Sequence, residues 1–589
     1  MRKICLLIIT MILASCSFPG QTNPTSVPPT ATQIPAAPAT VSIETPLPHT
    51  TIDSSTMEHK LMMGYQGWFT CPSDGSKVNG YLHWFRSNTP DAANFRVDMW
   101  PDASELTPQE RCPTNMKYPN GQPAYLYSAY NPRTVMRHFQ WMSQYGVDGV
   151  FVQRFGSELT DPIHFDTRNV VTKNARAGAE SYGRVFAMMY DTSGMDSSTF
   201  VGILEKDWKY MVDVLKVTES PSYLHHKSKP VLAIWGLGFI EHPGTPEQAM
   251  ELVNFFENNP DPKYQVTLMG GVPTSWRILQ NDSQTDPAWA DFYCALSIIS
   301  PWTVGRYRSD LEVDLYKLTM IQDMAHATEC GAEYMPVIFP GTAFHNNNAS
   351  HANLFNDTPR RGGNFYWRQV YDAVSIDVPM IYNAMFDEVD EDTAMYKIAA
   401  TKDDQPVGVD LVSMDADGYK LPNDWYLSLA GAASQMLRGE IPLTEDIPIQ
   451  SGAAALPTPS GLYRIRIQIT TSSDWAILEL KSGGTLVNPR LVSVSHEAIN
   501  LRANGNQFAI SQPIARANSG SSVELAVDVY LSELKAGEPL EFSIESGAIG
   551  STTVILFNYL QDVPLEANTT TLYETSKTFN VPAEKFVTP

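Results

Sequence analysis

Eight short apolar runs, separated by helix-like segments within residues 57–447, constrain this chain more than any other feature of it. They read KLMMGYQGWF, GVDGVFVQRF, RVFAMMYD, PVLAIWGLGF, QVTLMGGVP, ALSIISPW, YMPVIFPG and PMIYNAMFDE. Each is short, enriched in β-branched or aromatic residues and apolar on both faces, as parallel strands covered by helices are. Between the first two lies NPRTVMRHFQWMSQYG, where Asn131 is placed to cap a helix, Pro132 to open it and Gly146 to end it. Val135, Phe139 and Met142 fall on one face of that helix. The alternation predicts an α/β fold, a (β/α)8 TIM barrel with insertions over residues 57–447. A doubly wound sheet is the weaker alternative, because no glycine-rich dinucleotide fingerprint follows the first run.

With 589 residues the chain is too long for one compact core, and its two ends differ in texture from the middle. MRKICLLIITMILASCS places two cations before an apolar run and small residues before Cys16, so residues 1–16 read as a signal peptide. The LASC ending resembles a lipobox, which implies cleavage before Cys16 and lipidation of its thiol; an ordinary signal peptide with an incidental cysteine is the alternative. Residues 17–56 are rich in proline and threonine and form a linker that cannot bury a core. From 457 to 589 the period changes to two. RIRIQIT sets Ile465, Ile467 and Ile469 opposite Arg464, Arg466 and Gln468, and SVELAVDVYL alternates in the same way. This predicts a C-terminal antiparallel β-sandwich, either an immunoglobulin-like spacer or a carbohydrate-binding module. The expectation is an exported cell-surface or outer-membrane lipoprotein, monomeric, held to the membrane by an N-terminal lipid.

A net charge of −23 lacks the basic footprint that nucleic-acid partners need. Outside the leader and Cys16, the cysteines are Cys71, Cys112, Cys294 and Cys330. In an exported chain they can form two disulfides by three pairings, of which nearest-neighbour pairing is the simplest. No CxxC or close Cys/His spacing points to zinc, and neither a metal nor an organic cofactor is expected.

In a barrel of this type, function sits at the carboxyl ends of the strands. The residues just past the apolar runs are Gln66 and Trp68, Gln153 and Arg154, Tyr190 and Asp191, Trp235, Trp276, Trp302 and Arg306, His345, and then Asp387, Glu388 and Glu391. Aromatic faces that stack on C–H surfaces, mixed with groups that bind hydroxyls, suit a sugar. Glu388 and Glu391 are three apart, so a helical turn brings their Cβ atoms to about 5–6 Å. Two carboxyl groups closing in a dry pocket separate in proton affinity into acid and base, the pair of roles that glycoside cleavage requires. A calcium loop is disfavoured because DEVDED lacks the glycine and alternating ligands of an EF-hand. Carboxylates from one short loop reach the same side of a substrate. The first is therefore expected to work on a neighbouring hydroxyl while the second serves the leaving group.

Over residues 60–400 the chain resembles the glycoside hydrolase family 71/99-like proteins, related to family 99 endo-α-mannosidases and family 71 α-1,3-glucanases. The likeness rests on MGYQGWF, VDMWPD, YGVDGVFVQRF, GRVFAMMYD, KPVLAIWGLGF, ISPWTVGR, FPG and MFDEVDEDTAMYK. Family 99 enzymes carry Glu-Trp-His-Glu-Gly-Thr after the last strand, in the context occupied here by Glu388 to Thr393. The resemblance implies that Glu388 deprotonates a sugar 2-hydroxyl and that Glu391 is the general acid and then base. The implied activity is retaining, endo-acting α-glycosidase action on a mannan- or glucan-type polysaccharide. Val389 and Asp390 stand where the family has Trp-His, and Asp392 where it has glycine. A non-catalytic, surface glycan-binding lipoprotein is the alternative.

Overall fold

The computed structural model describes residues 50–347 and 355–450 and, beyond these, strands and turns between 463 and 580. The leader, Cys16 and linker residues 17–49 lie outside the described residues. Among the described residues no helix is long and apolar enough to cross a membrane.

Each of the eight apolar runs forms a strand. They are β1 (Leu61–Tyr65), β2 (Gly149–Phe155), β3 (Val185–Asp191), β4 (Lys229–Trp235), β5 (Thr267–Val272), β6 (Ile298–Pro301), β7 in two halves (Glu333–Tyr334 and Val337–Ile338) and β8 (Ile381–Asn383). A helix follows each in turn: α1 (Pro132–Tyr145), α2 (Pro162–Tyr182), α3 (Phe200–Asp213), α4 (Pro246–Glu257), α5 (Ala288–Cys294), α6 (Asp310–Cys330), α7 (Asn364–Val374) and α8 (Trp425–Leu437). Helix α1 starts and stops where its sequence says: the Asn131 side chain accepts the Arg133 N–H, and Gly146 turns left-handed at φ 77°. Val135, Phe139 and Met142 are buried on its inner face.

Consecutive strands pair in parallel from β1 to β6, and β1 pairs with β8. The ring closes through β7, whose first half pairs with β6 and whose second half pairs with β8. The change of partner falls at Pro336, which has no N–H to give to a ladder. The barrel is therefore closed, with β1 and β8 side by side.

Register decides which side chains enter the barrel. Phe155, Asp191, Trp235, Gly271 and Ser300 are aligned across β2 to β6 in one layer near the mouth, above Gln153, Met189, Ala233, Met269 and Ile298. The residues between these layers point the other way, and this corrects two expectations. Arg154 and Tyr190 face the helical shell, where Asp207 of α3 binds both: Arg154 Nε and Nη2 reach its carboxylate at 2.8 and 2.5 Å, and the Tyr190 hydroxyl donates at 2.7 Å. Side-chain period two, which a reading of strand ends alone does not resolve, separates them from the mouth.

The β1–α1 connection, residues 66–131, carries a hairpin (Cys112–Lys117 with Pro123–Leu126) joined to the barrel by a Cys71–Cys112 disulfide. A second disulfide, Cys294–Cys330, ties the ends of α5 and α6. In the C-terminal region, Tyr463–Thr471 lies antiparallel between Val523–Val529 and Ile549–Asn558. A second sheet pairs Trp475–Ser482 antiparallel with Pro539–Ser546 but parallel with Asn500–Ala503, one departure from the antiparallel expectation. Ile465, Ile467 and Ile469 are buried, yet so are Arg464 and Arg466 on the face expected to meet water. Arg466 makes a fork on Asp528 at 2.8 and 3.0 Å, and Arg464 pairs with Asp562, whose carboxylate also accepts the Asp310 N–H at the head of α6 at 3.0 Å.

The buried Arg154–Asp207 pair yields a stability prediction. Arg154→Met leaves the Asp207 charge without its cation and is expected to destabilise the fold by about 3–5 kcal/mol in urea titration. A change under about 1 kcal/mol would contradict the structural role assigned to Arg154.

Candidate active site

After β8 the chain turns sharply and carries five carboxyl groups in six positions, Asp387, Glu388, Asp390, Glu391 and Asp392. The Asp387 carboxylate accepts the N–H groups of Gln66 (2.7 Å) and Gly67 (2.9 Å), fixing the loop to the tip of β1. Glu388 accepts from Gln66 Nε2 and, at 2.7 Å, from the Thr393 hydroxyl. The Thr393 N–H returns to the Glu388 carbonyl at 3.2 Å, closing the turn. Asp392 takes φ 56°, the left-handed conformation glycine adopts most readily. Arg360 offsets the strain with an ion pair to its carboxylate at 2.9 Å and a bond to its carbonyl at 2.8 Å. The Glu391 carbonyl is gripped by the Ala343 N–H and the Thr342 hydroxyl, each at 2.9 Å.

This burial changes the chemistry of the acids. Desolvation, then the charge of Asp390, pushes Glu388 up to about 8 despite its hydrogen bonds. Glu391 is raised well above the carboxylate range by desolvation and then by Glu388, Asp98 and Asp191. Asp390 is raised likewise, by desolvation and then by Glu391. The two glutamates thus differ in partners: Glu388 is held by two donors, whereas Glu391 is surrounded by like charge and is the half-buried one of the two. The hydrogen bonds from Thr393 and Gln66 favour the ionised form of Glu388, whereas neighbouring carboxyl groups oppose ionisation of Glu391, the kind of asymmetry that an acid–base pair needs.

The expected residues divide between mouth and shell. Gln66 lies against Glu388, and Gln153 reaches Tyr382 at 3.3 Å inside the barrel; the side-chain oxygens of both are buried with no hydrogen-bond partner. Asp191 enters the mouth beside Trp235, with its carboxyl raised to about 6 by desolvation. Trp235 fits there because Gly271 has no Cβ, which would fall 2.5 Å from the indole. Trp302 packs edge-on to Trp235 at 5.5 Å and contacts Tyr382, so these half-buried indoles flank one side of the mouth. Trp68 is sandwiched between His83 at 4.0 Å and Phe155 at 5.1 Å; it offers its unpartnered N–H edge, not a stacking face. Trp276 is behind the wall, packed on Tyr293 of α5 and His326 of α6. Arg306 is turned to Asp282 at 3.1 Å on the neighbouring β5 loop, and His345 packs edge-on to Phe355 at 5.9 Å. Asp387 is the clamp described above, fully buried, and its carboxylate oxygens are taken by Gln66 and Gly67.

Three residues escaped the strand-end reading because the long β1–α1 connection delivers them from outside the barrel. The N–H groups of Asp98 and Met99 both donate to the Val389 carbonyl, at 2.9 and 3.0 Å, and the Asn346 N–H donates to the Asp98 carboxylate at 2.7 Å. Asp98 therefore braces the carboxylate turn, with one buried oxygen unpartnered and its carboxyl raised to about 8 by desolvation. Arg96 supplies the positive charge felt by Asp390 and Glu391, and His83 places Nδ1 4.0 Å from Asp390. The VDMWPD stretch, which contains Asp98, was the available signal for one of them.

These raised proton affinities set the pH dependence of stability. Asp98 and Glu388 ionise at about 8 in the fold, against about 4 in an unfolded chain. Between those values the folded state binds more protons, so stability falls as pH rises through that window. The melting temperature is expected to be higher at pH 5 than at pH 8.5, with a smaller difference in Asp98→Asn. An equal difference in the two proteins would contradict the burial assigned to Asp98.

No family model matches the chain, and no curated protein sequence matches it. Solved structures similar to it include a GH99 endo-alpha-mannosidase from Bacteroides thetaiotaomicron, at 14% identity and TM-score 0.47, covering 65% of this chain and 99% of that one. A GH5_18 protein from Streptomyces cattleya in complex with GlcNAc is similar at 12% identity and TM-score 0.34, covering 53% of this chain and 76% of that one. Both likenesses are distant, and the barrel assignment stands on the strand pairing itself.

Proposed function

We propose that the protein is a glycoside hydrolase that cuts a neutral polysaccharide by retaining, endo-acting α-glycosidase chemistry. The observation that carries this reading is the turn in which Glu388 and Glu391 bear on each other with unequal partners, beside the unpartnered oxygens of Gln66 and Gln153. Hydroxyl groups of a sugar would satisfy these two acceptors. Trp235 and Trp302 add apolar surface next to them.

In this reading Glu391 gives its proton to the glycosidic oxygen as the C1–O bond breaks. Glu388 removes the proton of the 2-hydroxyl, whose oxygen closes on C1 to form a 1,2-anhydro sugar. Water then opens that ring at C1, losing a proton to Glu391 as Glu388 returns its own to O2. Both groups come from one turn of chain, which suits this route better than one in which two carboxyl groups flank the scissile bond. Export, lipid attachment at Cys16, a monomeric state and a 457–589 sandwich domain belong to the same proposal.

The test is Glu391→Gln and Glu388→Gln against a panel of α-mannans and α-glucans, scored by new reducing ends. Loss of a positioned proton donor or acceptor is expected to lower turnover by at least about 10²-fold. Wild-type rates in both variants would sink the reading. Binding without new ends in the wild type would favour a glycan-binding lipoprotein instead.

A further inference from the structure

A second cleft is separate from the carboxylate turn. It has a volume of about 730 Å³ and lies between the Cys112–Leu126 hairpin, the segment around Asp102 and residues 399–404. Its walls come from the connection between β1 and α1 (Asp102 to Tyr125) and from that between β8 and α8 (Ala399 to Asn423). In a barrel the head of each helix-bearing connection lies at the carboxyl ends of the strands.

We propose that this cleft is a second saccharide-binding site, which holds a neutral stretch of the same polysaccharide away from the point of cleavage. The proposal rests on the glycoside hydrolase reading for its substrate. Its own support is the composition and rigidity of the walls. Tyr118 and Tyr125 line the cleft and are half-buried, and the Arg111 guanidinium covers one face of the Tyr125 ring at 5.2 Å. The rings stand on a braced platform. The Cys71–Cys112 disulfide anchors the hairpin at its first residue, and the Thr114 hydroxyl crosses it to the Ala124 carbonyl at 2.7 Å. Trp100 Nε1 donates to the Tyr118 hydroxyl at 3.1 Å. Preorganised aromatic rings bind a sugar face at low ordering cost. The volume lies within the range of small-molecule sites and accommodates a few pyranose rings.

Charge selects the ligand class. Asp102, Asp403 and Asp404 line the cleft against Arg111, so uronates, sulfated chains and phosphates are repelled while neutral hydroxyls are accepted. The Asp102 carboxylate is already fixed by the Ser104 N–H at 2.7 Å and by Asn423, and it serves as a rigid acceptor. None of the cleft residues belongs to the turn that carries Glu388 and Glu391.

The experiment uses the full chain in affinity electrophoresis through gels containing soluble yeast α-mannan or dextran, with Glu391→Gln to prevent degradation. Tyr125→Ala and Asp403→Ala are each expected to weaken retardation roughly three- to tenfold, and Tyr125→Phe to preserve it. With Glu391 intact, the same variants are expected to turn over a short oligosaccharide at the wild-type rate. Unchanged retardation in Tyr125→Ala and Asp403→Ala, in a protein that does produce reducing ends, overturns the second site and leaves the hydrolase reading standing. A wild type that neither cuts nor is retarded overturns both.

Discussion

Where the barrel closes, the Asp387 carboxylate takes the backbone N–H groups of Gln66 and Gly67, joining the last strand to the first. Everything at the mouth depends on that clamp. It sets the start of the turn from which Glu388 reaches Gln66 Nε2, and it holds that turn beside β1, where Gln66 and Gln153 leave buried oxygens unpaired. The far end of the turn is held independently, by Arg360 on Asp392 and by the 342–343 segment on the Glu391 carbonyl. A turn pinned at both ends can keep two carboxyl groups in a dry setting without collapsing onto a cation.

The electrostatic consequence follows from the shortage of positive charge. Asp98, Asp191, Glu388, Asp390 and Glu391 bear on one another, and Arg96 is the cation that acts on Asp390 and Glu391. Burial therefore raises proton affinities where a salt bridge would lower them. Asp392 is raised to about 7 by desolvation even though it pairs with Arg360, and that pair serves shape by supporting its left-handed backbone. Chemistry and scaffold are divided between neighbouring residues of a single turn.

The barrel was legible because its signal is carried by long-range repetition: eight apolar runs, a capped first helix and no dinucleotide fingerprint admit few folds. The position of Glu388 and Glu391 just after the last strand was legible from the apolar run that precedes them. What the sequence did not reveal has two physical causes. Arg154 and Tyr190 alternate out of the barrel, and Trp276 falls one turn past its strand into the α5–α6 shell; strand direction and pleat, not composition, decide this. Asp98, Arg96 and His83 arrive from a long connection whose path no local periodicity encodes. Arg464 and Arg466 show the same limit in the C-terminal region: their alternation reads as a wet face until Asp528 and Asp562 bury it.

The central claim is that burial and neighbouring carboxyl groups raise the proton affinity of Glu391 well above the carboxylate range. Infrared difference spectroscopy of the wild type minus Glu391→Gln at pH 7 measures this without any substrate. The account predicts a protonated carboxyl carbonyl band that the variant lacks. A difference spectrum containing only ionised carboxylate bands would contradict it.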